Sequence, residues 1–479
     1  MATGTAPLLV ASNRGPLQFT ERDDGQLEAS RGGGGLVSGL SSLTSGDEVV
    51  WVCAALNDGD RAAARHAPGG RLDRDGHDTG GIEVRMLDID PATFHRAYNA
   101  VANSTLWFVH HLLYAMPTAP AFDAGFRREW ASYETYNRAF AEALAQDAAD
   151  GAKVLVQDYH LTLLPQQLRD LRPDLRIAHF SHTPWAPVDY FKVLPDAVAR
   201  ETLLGVLGAD HAGFHSPRWA TAFAQCCVEL LGATSDGTSV TYAGRTTRLG
   251  VHPLGVDAEA LRERGHADDV ESRLAALRRR LGDRKAIVRV DRTELSKNIA
   301  RGLLAYRDLL RRYPEWQGKV THLASAYPSR HDLPEYREYT AHVQRLATEI
   351  EDEFGTDDWR PIVLDVTDDY ARSLALYRVG DVLLVNPVRD GMNLVAKEVP
   401  LLSDDGCVVV LSTEAGAADE FGDDALLVNP FDVSGTADAL DRALSMDADE
   451  RSARTKRLAE VSSRLPPSQW LADQVSALD

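Results

Sequence analysis

Asp381-Val-Leu-Leu-Val-Asn-Pro-Val-Arg-Asp-Gly-Met-Asn-Leu-Val-Ala-Lys-Glu398 reads as a buried strand, a tight loop and the first turns of a helix. The predicted strand Asp381–Asn386 is rich in Val and Leu without alternation, which suits a parallel strand covered on both faces. Asn393 is the predicted N-cap of a helix beginning at Leu394. The first amides of such a helix lack intrahelical acceptors and attract a diphosphate. Asp390, in the loop, is placed to grip sugar hydroxyls. Glu398, one turn into the helix, is placed to accept two ribose hydroxyls.

Outward from this segment the same kind of strand recurs, at Leu8–Ser12, Val154–Gln157, Arg176–Phe180, Ala212–His215, Ala286–Val290, Val320–Ala324, Ile362–Asp365 and Val408–Ser412. Amphipathic stretches lie between them: Phe126–Gln146, Asp196–Gly208, Glu259–Leu281 and Leu333–Phe354. Such alternation is the signature of α/β architecture with parallel sheets. The pattern runs twice, with a boundary near residues 255–260. The expected domains are therefore 1–256 and 257–465, two doubly wound, Rossmann-like units facing across a cleft. Ligands of such sheets sit beyond the carboxyl ends of the strands. Residues 466–479 are predicted to form a final helix that carries Trp470 and packs back on the N-terminal domain.

Composition narrows the function. The chain has 51 Lys and Arg against 71 Asp and Glu, a net charge of −20, which argues against general affinity for nucleic acid or anionic membrane. No apolar run approaches the ~20 residues of a membrane span. No basic stretch precedes Leu8–Ala11, so no signal peptide is expected and a cytoplasmic location is. Cys53, Cys226, Cys227 and Cys407 show no metal-binding spacing and read as small buried thiols. An anion must therefore be held by a few placed basic residues.

The candidates for that work lie at strand ends. Arg14 follows the first strand in Ser12-Asn-Arg14, where a guanidinium can fork onto a phosphate. Arg31-Gly-Gly-Gly-Gly-Leu-Val-Ser-Gly39 lets backbone amides approach a ligand, and Leu36–Leu43 can open a helix behind it. The run does not match the dinucleotide fingerprint, because Val37 or Ser38 stands where the third glycine belongs. A surface turn would read the same way. Arg292 and Lys297 follow the strand at 286–290 and can neutralise a leaving diphosphate. Asp158-Tyr-His160 and His182 each follow a strand of the first half.

Further matches are Gly34-Gly-Leu36, Tyr98-Asn99 with Leu106-Trp107, Ser329-Arg330 and Ala415-Gly-Ala-Ala418. Read together, from Ser12 to Asn429-Pro-Phe-Asp432, these segments resemble the trehalose-6-phosphate synthases, retaining glycosyltransferases of the two-domain GT-B fold. The most specific block is Arg389-Asp-Gly-Met-Asn-Leu-Val-Ala-Lys-Glu398. The resemblance implies transfer of glucose from a nucleoside-diphosphate glucose to glucose 6-phosphate, giving α,α-trehalose 6-phosphate. It implies that Arg14, Tyr98, Trp107 and Arg330 hold the acceptor, and that the Gly35 amide faces the donor diphosphate. Arg292 and Lys297 would neutralise that diphosphate. Asp390, with the amides of Met392 and Asn393, would grip the donor glucose, while Leu394, Val395 and Glu398 hold the nucleotide. His182 would lie beside the donor sugar and Asp158 at the acceptor.

Some positions differ from the commoner family pattern: Gln157 stands where His is usual, and Arg292-Thr-Glu-Leu-Ser-Lys-Asn298 replaces Arg-Leu-Asp-Tyr-Ser-Lys-Gly. The donor base stays open among UDP, GDP and ADP. No metal or other cofactor is expected, the partners are the two small-molecule substrates, and a homo-oligomer is compatible with all of this. Two alternatives also stay open: a pseudo-glycosyltransferase that couples cyclitols through nitrogen, and a non-catalytic sugar-phosphate sensor.

Overall fold

The computed structural model describes residues 4–22, 26–31, 49–330 and 332–479. The chain divides into two compact units. One ends at Leu254 and takes back Pro467–Asp479; the other is Gly255–Pro466. The glycine run, Gly35 and the helix expected at Leu36–Leu43 lie outside the described residues.

The strands of the first unit are β1 (Ala6–Ala11), β2 (Leu17–Glu21), β3 (Leu27–Arg31), β4 (Val49–Ala54), β5 (Glu83–Leu87), β6 (Ala148–Gln157), β7 (Arg176–Ser181), β8 (His211–Phe214), β9 (Thr234–Ser235), β10 (Ser239–Tyr242) and β11 (Arg245–Val251). Its main sheet has the order β5-β4-β1-β6-β7-β8-β11-β10-β9. Pairing is parallel from β5 to β11 and antiparallel from β11 to β9. The pair β2–β3 forms a separate antiparallel hairpin. The second unit contains β12 (Lys285–Arg292), β13 (Val320–Tyr327), β14 (Ile362–Asp365), β15 (Val382–Val385), β16 (Val408–Ser412) and β17 (Leu426–Val428). Its order is β14-β13-β12-β15-β16-β17, parallel throughout.

Both main sheets share one winding. The first strand sits centrally, the next two add on one side, and later strands add on the other. The winding reverses between β1 and β6 in the first unit and between β12 and β15 in the second. At such a reversal the flanking connections diverge and leave a crevice beyond the strands' carboxyl ends.

Burial on both faces explains the unbroken apolar runs. Along β15, Leu383 and Val385 join the core on one face, while Val382 and Leu384 join the core on the other. Val409 and Leu411 alternate with Val408 and Val410 along β16 in the same way. Each such side chain contributes roughly 1.5–3 kcal/mol. A polar residue on either face would forfeit that gain.

The structure corrects the reading of 259–281 as one helical stretch. Two helices, Ala258–Gly265 and Asp268–Leu281, are separated at Ala267, whose ψ of 153° is extended. Gly265 packs so tightly that a Cβ there would lie 2.6 Å from Leu402 Cδ2. Asp268, Asp269 and Glu271 favour a new helix start next to it, at the positive end of the helix dipole. β2–β5, β9–β11 and β17 are additional to the predicted strands.

The terminal helix, Pro467–Ser476, is part of the first unit. Its Trp470 is buried and meets Phe180 edge-on at 5.0 Å, and Asp479 pairs with Lys153. All four cysteines are buried and unbridged. Among the described residues no helix is long and apolar enough to cross a membrane, and no cluster of His, Cys, Asp and Glu is arranged to hold a metal ion.

Candidate active-site residues of the two units

In the second unit the residues expected at the donor converge on the reversal between β12 and β15. Lys297 Nζ lies 2.6 Å from Asp390 Oδ2 and 3.9 Å from Asp291 Oδ1. Burial opposes the Lys297 charge, but Asp390 and Asp291 outweigh it and hold the ammonium above the ordinary lysine pKa. Arg289, fully buried on β12, braces the turn. It donates to Asp291 Oδ2 at 2.8 Å and to the Lys297 carbonyl at 2.6 Å. Lys297 is thus held charged and in place by its own acidic neighbours.

The loop after β15 is pinned by three main-chain hydrogen bonds from two neighbouring segments. The Val388 amide donates to the Ser296 carbonyl at 2.7 Å, the Asp390 amide to Glu414 and the Gly416 amide to Asp390, each at 3.1 Å. Asn393 has φ of 79°, and its Oδ1 accepts from the Ala396 amide at 3.1 Å, so the helix Leu394–Leu402 is capped where the sequence predicts. The Asn393 Nδ2 group donates to Asp390 Oδ2 at 3.1 Å. One residue therefore caps the helix and orients the carboxylate. Met392 is buried in the core, so its main chain is what it can offer a ligand. Leu394, Val395 and Glu398 are half-buried along the first turns. Burial raises the Glu398 pKa, and the Tyr377 hydroxyl, bonded to it, pulls the other way.

Arg292 is half-exposed and pairs with Glu294 Oε1 at 3.1 Å. Glu294, fully buried, also accepts from the Ser329 hydroxyl at 2.9 Å. Burial alone would raise its carboxyl, yet Arg292, Arg330, Lys297 and Ser329 hold it down to about 2. Arg330 donates to Tyr336 Oη at 2.7 Å, with its guanidinium 5.6 Å from that ring's centre. The structure therefore places Arg330 in the second unit, on the same charged patch as Arg292 and Lys297.

In the first unit the strand ends do the corresponding work. Ser12 Oγ accepts from Trp51 Nε1 at 2.7 Å and donates to the Arg14 carbonyl at 2.7 Å, leaving the Arg14 side chain exposed beyond β1. Asp158, just after β6, has φ 71° and ψ 173°, a region glycine alone adopts without strain. Its Oδ1 accepts from the His182 amide at 3.1 Å, which ties the end of β6 to the end of β7. The His182 ring meets Gln157 Oε1 at 3.0 Å through Nε2. Burial, then His215 and His179, push its pKa well below the ordinary histidine value, so the ring is neutral.

Tyr98 stacks between Phe94 at 5.2 Å and His160 at 5.6 Å, and Trp107 lies against Tyr159 at 5.6 Å. Tyr98 lies in a wide helical stretch, Arg96–Leu106, and Trp107 caps it, its amide reaching back five residues to the Ala102 carbonyl. Widened turns of this kind concentrate at functional sites. The structure thus gathers Tyr98, Trp107, Asp158 and His182 around the end of β6, and Arg292, Lys297, Arg330, Asp390 and Asn393 around β12 and β15. Sequence reasoning missed Arg289, Asp291 and Glu294, and the glutamine behind His182. Glu294 had a signal: an acid two residues from Arg292 and three from Lys297.

A profile of glycosyltransferase family 20 matches residues 7–479. This chain belongs to that family. The family member from Schizosaccharomyces pombe named alpha,alpha-trehalose-phosphate synthase [UDP-forming] is 34% identical over 98% of this chain and 90% of its own length. An E. coli structure solved with bound UDP-2-fluoro glucose superposes with a TM-score of 0.86 at 28% identity, covering 98% of each chain. A UDP-forming alpha,alpha-trehalose-phosphate synthase from Burkholderia vietnamiensis gives 0.84 at 30% identity, over 99% of each chain. The family 20 chain has the GT-B fold, with a largely parallel sheet in the first unit and a parallel sheet in the second.

Proposed function

We propose that this family 20 chain transfers glucose from UDP-glucose to glucose 6-phosphate with retention, forming α,α-trehalose 6-phosphate and UDP. The observation that carries the reading is the Lys297–Asp390 pair beside the capped start of helix Leu394–Leu402, at the crevice between β12 and β15. UDP is chosen as the donor base because curated relatives along nearly the whole chain bear UDP-forming names.

In this reading Glu398 takes the ribose hydroxyls, Leu394 and Val395 flank the nucleotide, and the Gly35 amide faces the diphosphate. Arg292 and Lys297 stabilise the negative charge that grows as the C1–oxygen bond to the diphosphate breaks. Asp390 and the amides of Met392 and Asn393 hold the glucose, with His182 beside it. Arg14, Tyr98, Trp107 and Arg330 hold glucose 6-phosphate, Asp158 orienting its sugar. The acceptor hydroxyl attacks C1 on the face the diphosphate leaves. Its oxygen forms the new C1–O bond, and its proton passes to the departing phosphate oxygen, so the step balances with no metal or cofactor.

The test is product analysis with purified protein, glucose 6-phosphate and UDP-, GDP- or ADP-glucose in parallel, without added metal. A phosphorylated disaccharide that phosphatase converts to trehalose, made fastest from UDP-glucose, is the expected result. No product from any donor, with UDP still bound, would remove glucose 6-phosphate as the acceptor and turn attention to cyclitol phosphates.

A further inference from the structure

The terminal helix Pro467–Ser476 brings to the first unit one polar group that the scheme above does not use. Gln474 is only 1% exposed, and its Nε2 donates to the Trp470 carbonyl one turn back at 3.4 Å. Its Oε1 accepts from Gln157 Nε2 at 3.1 Å. Gln157, the fully buried last residue of β6, presents its own Oε1 to His182 Nε2 at 3.0 Å.

The direction of this chain is fixed at one end, because a main-chain carbonyl only accepts. With Nε2 committed to Trp470, Gln474 turns its oxygen to Gln157. Gln157 must then offer nitrogen to Gln474 and oxygen to His182, since an amide donates from one atom and accepts at the other. The His182 proton is thereby required on Nε2. No described residue bonds Nδ1. The titratable groups near the ring are His215, 5.1 Å away between ring centres, His179 on β7, and Asp158, whose Oδ1 accepts from the His182 main chain. Phe180 and Trp470 pack against the ring at 4.9 and 5.4 Å between centres.

We propose that Gln474 and Gln157 are positioning residues that lock His182 as the Nε2-protonated tautomer, so that Nδ1 serves as a hydrogen-bond acceptor for a hydroxyl of the transferred sugar. This rests on the placement of His182 beside the donor sugar under Proposed function. It gives the terminal helix a part in the chemistry, acting on the substrate through two intervening side chains. It also gives Gln157 a role that needs a side chain with both a donor and an acceptor.

The test uses the full chain labelled with 15N-histidine, the His182 signals being those lost in His182→Gln. The expected spectrum shows a proton on Nε2 and a bare Nδ1. In Gln474→Leu the two tautomers should mix, and turnover should fall about tenfold, the worth of one hydrogen bond, with KM for glucose 6-phosphate unchanged. Gln474→Glu, which still accepts from Gln157, should restore the rate. A proton on Nδ1 in the unaltered protein overturns the proposal, and so does an unchanged spectrum and rate in Gln474→Leu. If Gln474→Leu does not fold, the spectrum of the unaltered protein decides alone. Absence of product from any nucleotide glucose would defeat the proposed function, while the nitrogen spectrum would still report the tautomer.

Discussion

Asp158 holds a backbone conformation that costs a residue with a Cβ about 1–3 kcal/mol. The carboxylate's bond to the His182 amide keeps it there. Replacing Asp158 by Gly or by Ala removes the same carboxylate, but only Gly relieves the strain. The Gly variant should therefore be more stable than the Ala variant by about 1–2 kcal/mol, the reverse of the usual order, and both should lose activity. Urea unfolding midpoints decide this; an Ala variant as stable as Gly would mean that the strain is absent. Glu294 gives a second residue-scale prediction. Its carboxyl is held at about 2 against an ordinary 4.5, so its contribution to stability is full above pH 4.5 and is lost as pH falls toward 2. Glu294→Gln should lower the melting temperature at neutral pH, and the gap to the unaltered protein should close on acidification through that window. A gap independent of pH would show that Glu294 acts by packing. That such a group sits between Arg292 and Arg330 was only half legible. The charges are visible in sequence, but Ser329 and Arg330 come from another strand end, and their approach depends on the pairing of β12 with β13.

At the scale of elements, legibility followed burial. β15 and β16 are covered on both faces and read as nearly unbroken apolar runs, whereas β5 alternates Glu83-Val-Arg-Met-Leu87 at a sheet edge, where one face stays polar. β4 is as apolar as the central strands and is absent from the predicted set although its signature is the same. The hairpin strands β9–β11 gave no comparable run, because Ser, Thr and Arg dominate them. The strand–loop–helix from β15 to Leu402 was the most legible element, since its cap, its loop and its period all point one way. Its precision depends on a neighbour that the pattern does not reveal. A Cβ on Gly416 would come within 2.0 Å of the Gly391 carbonyl oxygen, a contact of main chain on main chain that cannot be relieved by a rotamer change. Gly416→Ala should therefore displace the loop that carries Asp390. A misplacement of ~1 Å can cost about a hundredfold in rate, while overpacking costs about 1–3 kcal/mol in stability. Initial rates and melting curves on the same sample should show turnover lost with the fold retained; near-normal turnover would mean that the loop has slack.

At the scale of the whole molecule, the two copies of one winding close differently along the chain. The second unit is continuous from Gly255 to Pro466 and contains Arg292, Lys297, Arg330, Asp390 and Glu398. The first is completed only by the last residues, whose Trp470, Leu471 and Leu478 are buried. A chain ending at Pro466 forfeits roughly 1.5–3 kcal/mol for each large apolar side chain removed from the core and leaves the Gln157 amide without Gln474. The loss falls on the first unit alone. Calorimetry should then show the first unit melting at least about 10 °C lower, at ~2–4 °C per kcal/mol for a unit of this size. UDP at a hundredfold excess over its dissociation constant should still stabilise the second unit by about 2.7 kcal/mol, because every group proposed to bind it, Gly35 apart, lies in that unit. Loss of the UDP-dependent shift in the shortened chain would show that the nucleotide site depends on the first unit, and the assignment of nucleotide binding to the second unit would have to be given up.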